Sequence, residues 1–276
     1  MSTQKSVLVC GIDETASAVA RRLFGEGYAV ALYRAAAPRV LRRRMSFADA
    51  WYDTYALLDG VEARRADVSA EFLLGLQTRE FIPLLRCRFS DVFERWPWDV
   101  VVAAKEDDEP GPVSFRSLAE LTIGLGESFS AGVDCDLVIE TEGPDPGAIL
   151  RAGEPPRPAR PTAANGAPGH VRVVAPRQGL FHPRAPIGSV IETGEVLGLL
   201  GDASLVAPVA GRISGVARQG EAVKDGTAIA EIALSRSARV AGITERNKLV
   251  ARGTAFALEM DSEGVTPFSL EGWLRE

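Results

Sequence analysis

The feature that most constrains this chain is an internal echo: VAPRQGLF at 174–181 returns as VAPVAGRI at 206–213. The offset of 32 residues persists beyond those octets, pairing Ala175 with Ala207, Gly179 with Gly211, Gly188 with Gly220, Gly194 with Gly226 and Leu197 with Ile229. A short β unit with glycines at its turns cannot bury an apolar face alone, whereas two copies can interlock about a pseudo-twofold axis. The echo therefore predicts a small all-β unit over 171–235.

That pattern resembles the barrel-sandwich hybrid of biotinyl and lipoyl domains, with the likeness covering residues 171–233. Those carriers hang their cofactor on a lysine at the tip of the hairpin joining the two copies. Here the tip reads Gly201-Asp202-Ala203-Ser204, and Lys224 falls inside the second copy. The resemblance thus implies a rigid platform or docking module, with no biotin or lipoate attachment expected.

The first half of the chain follows a different rhythm. SVLVCGI at 6–12 is a buried-strand run, DETASAVARRLFGEGY carries Ala16, Val19, Ala20 and Leu23 at helical spacing, and AVALYR opens a second strand after Gly25 and Gly27. Further strand-like runs follow at 81–87, 99–104, 121–125 and 137–141, with FSDVFERW as a short helix between the first two. Their continuous apolar character predicts strands covered on both faces, so residues 1–150 read as a Rossmann-like, doubly wound parallel α/β domain. Residues 151–170, dense in Pro, Ala and Gly, read as a linker. Residues 236–276 read as a C-terminal helix and tail, with Ile243, Leu249, Val250 and Ala257 on its inward face and PFSLEGWLRE at its end.

Charge and cysteine usage narrow the functional classes. The net charge is −6, so the short RVLRRR cluster at 39–44 does not make a nucleic-acid surface. No apolar run approaches the roughly 20 residues of a membrane span, and no signal-peptide pattern precedes the first strand, which points to a cytoplasmic protein without a membrane partner. Cys10, Cys87 and Cys135 are widely spaced and accompanied by two histidines, which excludes a disulfide framework and disfavours a metal site.

Three stretches carry candidate chemistry. The first turn, CGIDETASAVA, sits where a dinucleotide fold places its phosphate loop, yet only Gly11 is present and Asp13 replaces the second glycine. A helix N-cap at Asp13 or Thr15 is the plainer reading. In RVLRRRMSFADAWYD, Arg42, Arg43 and Ser46 could grip an anion, since guanidinium forks match phosphate and carboxylate. The same residues also read as a helix capped by Ser46, with Phe47, Ala50 and Trp51 inward and the arginines in solvent. In LTIGLGESFSAGVDCDLVIETEG, residues 121–143, Gly124, Gly126 and Gly132 surround Ser130 and lead into Asp134 and Glu140 at the carboxyl end of a parallel strand, where open sheets bind ligands. Beside Asp134 and Asp136, Cys135 should be a poor thiolate and a better small hydrophobe.

Taken together, RVLRRRMSFADAWYD, LTIGLGESFSAGVDCDLVIET and VVAPRQGLF…IGSVIETGEVLGLLG, in this order, resemble the YqeB group of selenium-dependent molybdenum hydroxylase system proteins. ITERNKLVARGTAFAL resembles that group's closing segment. The resemblance implies an accessory or maturation protein for a molybdenum-dependent hydroxylase or related redox enzyme. It marks Arg42, Arg43, Ser46 and Phe47 in one motif and Gly124, Gly126, Ser130, Gly132, Asp134 and Glu140 in the other. Such a protein would bind an anionic cofactor or intermediate, a nucleotide or molybdopterin-type ligand, between the glycine loop and the arginines, while the β unit docks a client redox enzyme. An NAD(P)-dependent oxidoreductase and a non-catalytic structural subunit are the alternatives, and homo-oligomerisation is compatible with each. The chain departs from the group's pattern at Asp13, at Glu127-Ser128 where Pro-Gly is usual, and at Ala103-Ala104-Lys105.

Overall fold

A computed structural model describes residues 5–104, 114–154 and 169–263. The aromatic tail after 263 and most of the Pro-rich linker lie outside them. In chain order the first half contains β1 (Ser6–Cys10), α1 (Glu14–Gly25), β2 (Ala29–Tyr33), a 3₁₀ turn (Arg43–Met45), α2 (Asp49–Tyr52), β3 (Tyr55–Leu58), β4 (Val61–Arg65) and α3 (Ser69–Thr78). It continues with β5 (Ile82–Leu85), α4 (Phe89–Arg95), β6 (Val100–Ala104), β7 (Leu121–Leu125), β8 (Leu137–Ile139) and β9 (Ile149–Leu150).

These strands form one nine-stranded sheet in the order β3-β4-β5-β2-β1-β6-β7-β8-β9. Every neighbouring pair from β4 to β8 is parallel, and the two outer pairs are antiparallel. The sequence alternates cores accordingly. Along β1, Val7 and Val9 pack under α1 and the C-terminal helix, whereas Leu8 and Cys10 join Phe72 of α3 and Val92 of α4 on the opposite face. Both faces being covered is why the strand reads as an unbroken apolar run. The chain leaves β1 toward β2 on one side and returns to β6 on the other, so the strand order reverses between β1 and β6.

The second half adds β10 (His170–Val174), β11 (Gly179–Pro183), β12 (Val190–Ile191), β13 (Val196–Leu200), β14 (Ala203–Val206), β15 (Gly211–Val216), β16 (Glu221–Val223) and β17 (Ala228–Ala233). They make two four-stranded antiparallel sheets, β10-β17-β15-β12 and β14-β13-β11-β16, closed on one core containing Ala175, Phe181, Leu197, Ala207, Ile213 and Ile229. The sequence echo becomes a structural exchange. Gly194 N–H donates to Ala207 O at 2.9 Å, and 32 positions on, Gly226 N–H donates to Ala175 O at 2.9 Å. Likewise Gly188 bonds Ile213 O and Gly220 bonds Phe181 O, each at 2.8 Å. Each copy therefore completes the other, as a unit too small to bury its own face requires.

Helix α5 (Glu245–Glu263) follows, its first turn capped by the Thr244 hydroxyl, which accepts from Asn247 N–H at 3.1 Å. It packs on α1, burying Val250 and Ala257. Ile243 is buried ahead of the helix, and Leu249 turns outward at 38% exposure, which corrects its placement on the inward face. One turn further on, Gly253 lies so close to Gly147 that an added Cβ would stand 2.0 Å from Gly147 O, so α5 meets that turn through a glycine.

Candidate functional site at the carboxyl edge of the sheet

The carboxyl ends of β1, β7 and β8 share one edge, and the sequence-nominated residues fall into three groups: the β1 end, the arginine stretch and the β7–β8 crossing. After β1, Gly11 adopts φ 129° and donates to Tyr33 O at 2.9 Å. The chain then turns into α1, whose N-cap is Asp13: its carboxylate accepts from Ala16 N–H at 2.7 Å. A helix N-terminus is a ready anion site, but here its own carboxylate already occupies that place. Burial pushes the Asp13 pKa upward against the opposing Ala16 and Thr15 amides. Neighbouring Glu14 is raised to about 7, chiefly by burial; Arg42 opposes the shift, and Asp13 and Glu231 add to it.

The arginine stretch is a joint between the two halves. Arg42 Nε donates to Glu231 Oε1 at 2.7 Å, its Nη2 makes a second bond to the same oxygen, and its Nη1 lies 3.6 Å from Glu14. Glu231, 5% exposed on β17, also accepts from Ser214 Oγ at 2.9 Å. Arg43 bonds Asp49 at 3.2 Å and Val216 O at 3.3 Å. Arg218 returns the contact, reaching Asp49 and, at 3.0 Å, Asp53, with its guanidinium 4.3 Å from the Tyr52 ring centre. Leu41 O accepts from Val216 N–H at 3.0 Å. The solvated-arginine reading is thus corrected for Arg42 and Arg43, which are held by carboxylates and carbonyls of the protein, while Arg39 and Arg44 are exposed.

The expected helix cap at Ser46 holds only in part: its Oγ accepts from Ala48 N–H at 3.3 Å, but the helix proper begins later. Residues 43–45 form a 3₁₀ turn, Ser46 is extended and buried, and α2 starts at Asp49. The reason is the next residue. Phe47 is fully buried, and its N–H donates to Ser17 Oγ at 2.9 Å, so the chain must dive beneath α1 before a helix can begin.

The 121–143 stretch is a tight parallel crossing. Gly124 lies in β7, where an added Cβ would stand 2.4 Å from the Phe129 ring and 2.9 Å from Cys135 Sγ. Its lack of a side chain lets Phe129 fold back onto the strand and complete the second core. Gly126, at φ 88°, donates to Ile139 O at 2.9 Å. Gly132 donates to Cys135 O at 2.7 Å. Asp134 fastens the loop by accepting from Ser130 N–H at 2.8 Å. Cys135 is fully buried and its thiol is pushed up to about 11, first by burial and then by Asp134 and Asp136. Glu140 is also buried, beyond β8.

Structure therefore brings Gly11 to the β1 end, Gly124, Gly126, Ser130, Gly132 and Asp134 to the β7–β8 crossing with Glu140 just beyond β8, and Arg42, Arg43 and Ser46 to the joint. Sequence reading passed over Glu14, Arg34, Glu231 and Arg218. Arg34, 1% exposed after β2, donates from Nε to Ala36 O at 3.1 Å. Glu231 had a usable signal: a single carboxylate inside AIAEIA demands a buried partner. Among the described residues, no group of three or more His, Cys, Asp and Glu side chains could hold a metal ion, and no helix is long and apolar enough to cross a membrane.

Fold and edge define a class: a mostly parallel α/β sheet with an open carboxyl edge, joined to a duplicated β unit and closed by a helix. No family model matches the chain. It is similar to a protein of Escherichia coli (strain K12) described as uncharacterized protein YqeB, with 31% identity over 271 residues covering 94% of this chain and 48% of that protein. The chain spans about half the length of the curated relative it matches.

Proposed function

We propose that the chain is an accessory protein in the maturation of a molybdenum-dependent hydroxylase or a related redox enzyme. In this reading the Rossmann-like sheet presents a ligand-facing edge at the β7–β8 crossing, and the barrel-sandwich hybrid, with no lysine at its tip, docks the client. The molybdenum setting rests on the motif resemblance, and the relative matched along 94% of this chain carries the same YqeB label but no described function. The observation that carries the mechanical half is the joint, where Glu14, Arg42 and Glu231 link α1 to β17 and Arg218 reaches back to Asp49 and Asp53. Charged groups spent on holding two units together suit an adaptor that must keep a ligand edge and a docking surface in fixed relation. Because Arg42 and Arg43 serve the joint, ligand binding in this proposal rests on the crossing loop.

The test is complementation in a host that makes a molybdenum hydroxylase. Removing the protein lowers hydroxylase activity while the hydroxylase polypeptide persists, and wild-type chain restores it. Asp134→Ala, which frees the crossing loop, restores it poorly. Full hydroxylase activity without the protein sinks the proposal, and failure of the purified chain to bind nucleotides or pterin phosphates at micromolar concentration removes its ligand half. The NAD(P) alternative has the weaker geometric case, since Asp13 fills the helix N-terminus where a pyrophosphate would sit.

A further inference from the structure

A cavity opens on the same sheet edge, at the carboxyl ends of β4 and β5. Its volume is about 210 Å³, and it is lined by Trp51, Ala66, Asp67, Arg86, Cys87 and Arg95. Cavities at the carboxyl ends of parallel strands are habitual ligand sites, and this one is smaller than the roughly 300–1,000 Å³ of drug-sized pockets. It has room for a small molecule of a few heavy atoms.

Its electrostatics are asymmetric. Asp67 is the one lining carboxylate, and it is already engaged: Arg86 grips it through Nε at 3.1 Å and Nη2 at 2.7 Å, and Arg65 lies 3.0 Å away. Arg86 is held further by Trp51 O at 3.1 Å and by the Trp51 ring, 5.0 Å from its guanidinium. Arg95 differs. It ends α4, three residues beyond the buried Val92 and so on the same helical face, and it is half-buried. Among the described residues it makes no hydrogen bond or ion pair. Asp91, the carboxylate one turn away, bonds Arg88 at 3.3 Å and Ser90 at 3.0 Å instead. Arg95 is only partly buried and keeps solvent access, so its guanidinium is free to exchange water for an anion, and it lines a cavity beside a second, rigidly held guanidinium.

We propose that this cavity binds a small oxyanion, a carboxylate or phosphate monoester, between Arg95 and Arg86, with Trp51 and Cys87 as its apolar wall. Fork-shaped guanidiniums suit such groups. The site is separate from the β7–β8 crossing and stands whatever the fate of the maturation proposal.

Cys87 supplies a built-in reporter. It lines the cavity and is partly exposed, whereas Cys10 and Cys135 are buried. Burial raises the Cys87 pKa and Arg95 opposes the rise, so alkylation is followed at one alkaline pH and compared with and without anion within each variant. With iodoacetamide as reagent, inorganic phosphate and acetate are tested separately against chloride at equal ionic strength. A site of about millimolar affinity gives roughly tenfold protection at about 10 mM anion. The arm that protects identifies the source chemistry. Arg95→Gln abolishes protection, and Arg95→Lys, which keeps charge but not the fork, retains a weaker one. Absence of protection by either anion, protection by chloride to the same degree, or undiminished protection in both folded variants overturns the proposal.

Discussion

The two copies of the β repeat agree where they interlock and differ where they meet the sheet. Ala175 and Ala207, Gly194 and Gly226, Gly188 and Gly220 make equivalent bonds in both directions. At the joint the pairing ends: Glu231 stands where the first copy has Leu199, Ser214 where it has His182, Gly215 where it has Pro183, and Arg218 where it has Pro186. The ladder departs as well. β11 pairs with β13 in even register, whereas β15 shifts against β17 between Ile213 and Gly215, so that Ser214 bulges. A bulge bends its strand and re-aims side chains, and this one lets Ser214 bond Glu231 while Gly215 accommodates Leu41, which an added Cβ would meet at 2.8 Å. Duplication supplied the core, and divergence of one copy supplied the attachment.

The hardest way to break that comparison is to load mates that look equivalent in sequence. A Cβ on Gly211 would stand 2.2 Å from Ala233 O, a backbone atom, whereas a Cβ on its mate Gly179 would meet the Leu200 side chain at 3.0 Å. Gly211→Val should cost about 3 kcal/mol or more, and Gly179→Val about 1 kcal/mol, in denaturant unfolding. Equal losses would mean that the two copies are interchangeable.

Next in size is restoring the symmetry. Glu231→Leu copies the first repeat but leaves Arg42 without its principal partner, which should cost about 3 kcal/mol, and adding Arg42→Leu should recover most of it. A double-mutant cycle measures the coupling, and a cycle near zero would remove the joint from the account.

The smallest effect concerns Glu14, which faces Arg42 and Arg246 as favourable neighbours and Asp13 and Glu231 as unfavourable ones. Its pKa near 7 in the folded chain against 4.5 in the unfolded one means that the folded state holds the proton longer. Stability therefore falls as pH rises from about 4.5 through about 7. Glu14→Gln should be more stable than wild type by about 1–2 kcal/mol at pH 8 and should lose that advantage below pH 5, as read from unfolding midpoints. A deficit at pH 8 would show that the Arg42 contact outweighs desolvation.

Legibility varied with how far a residue's partner lay along the chain. The strands β1, β2, β5, β6, β7 and β8 and the helices α1 and α4 followed from local pattern. The β3–β4 hairpin escaped notice although it carries the signal of an Asp59-Gly60 turn, both residues at positive φ. Its alternation of exposed Tyr55 and Leu57 with buried Ala56 and Leu58 is the half-covered pattern of an edge strand, unlike the doubly buried runs beside it. Helix α3 was hidden by FLLGLQ, an apolar run whose Gly75 makes room for Phe81. At the candidate site, the poor thiolate character of Cys135 was readable from its acidic neighbours, but burial is the larger cause and is a property of the folded core.

By itself the sequence determined the elements whose cause is periodic or repeated: a covered parallel sheet, a duplicated β unit and an amphipathic closing helix, because local geometry and apolar spacing act over a few residues. Only the tertiary structure decided what the charged residues do. Arg42 and Glu231 are 189 residues apart in the chain, yet they lie side by side once the halves join. A charge's role depends on which opposite charge shares its desolvated space, and that pairing exists only after the chain has folded.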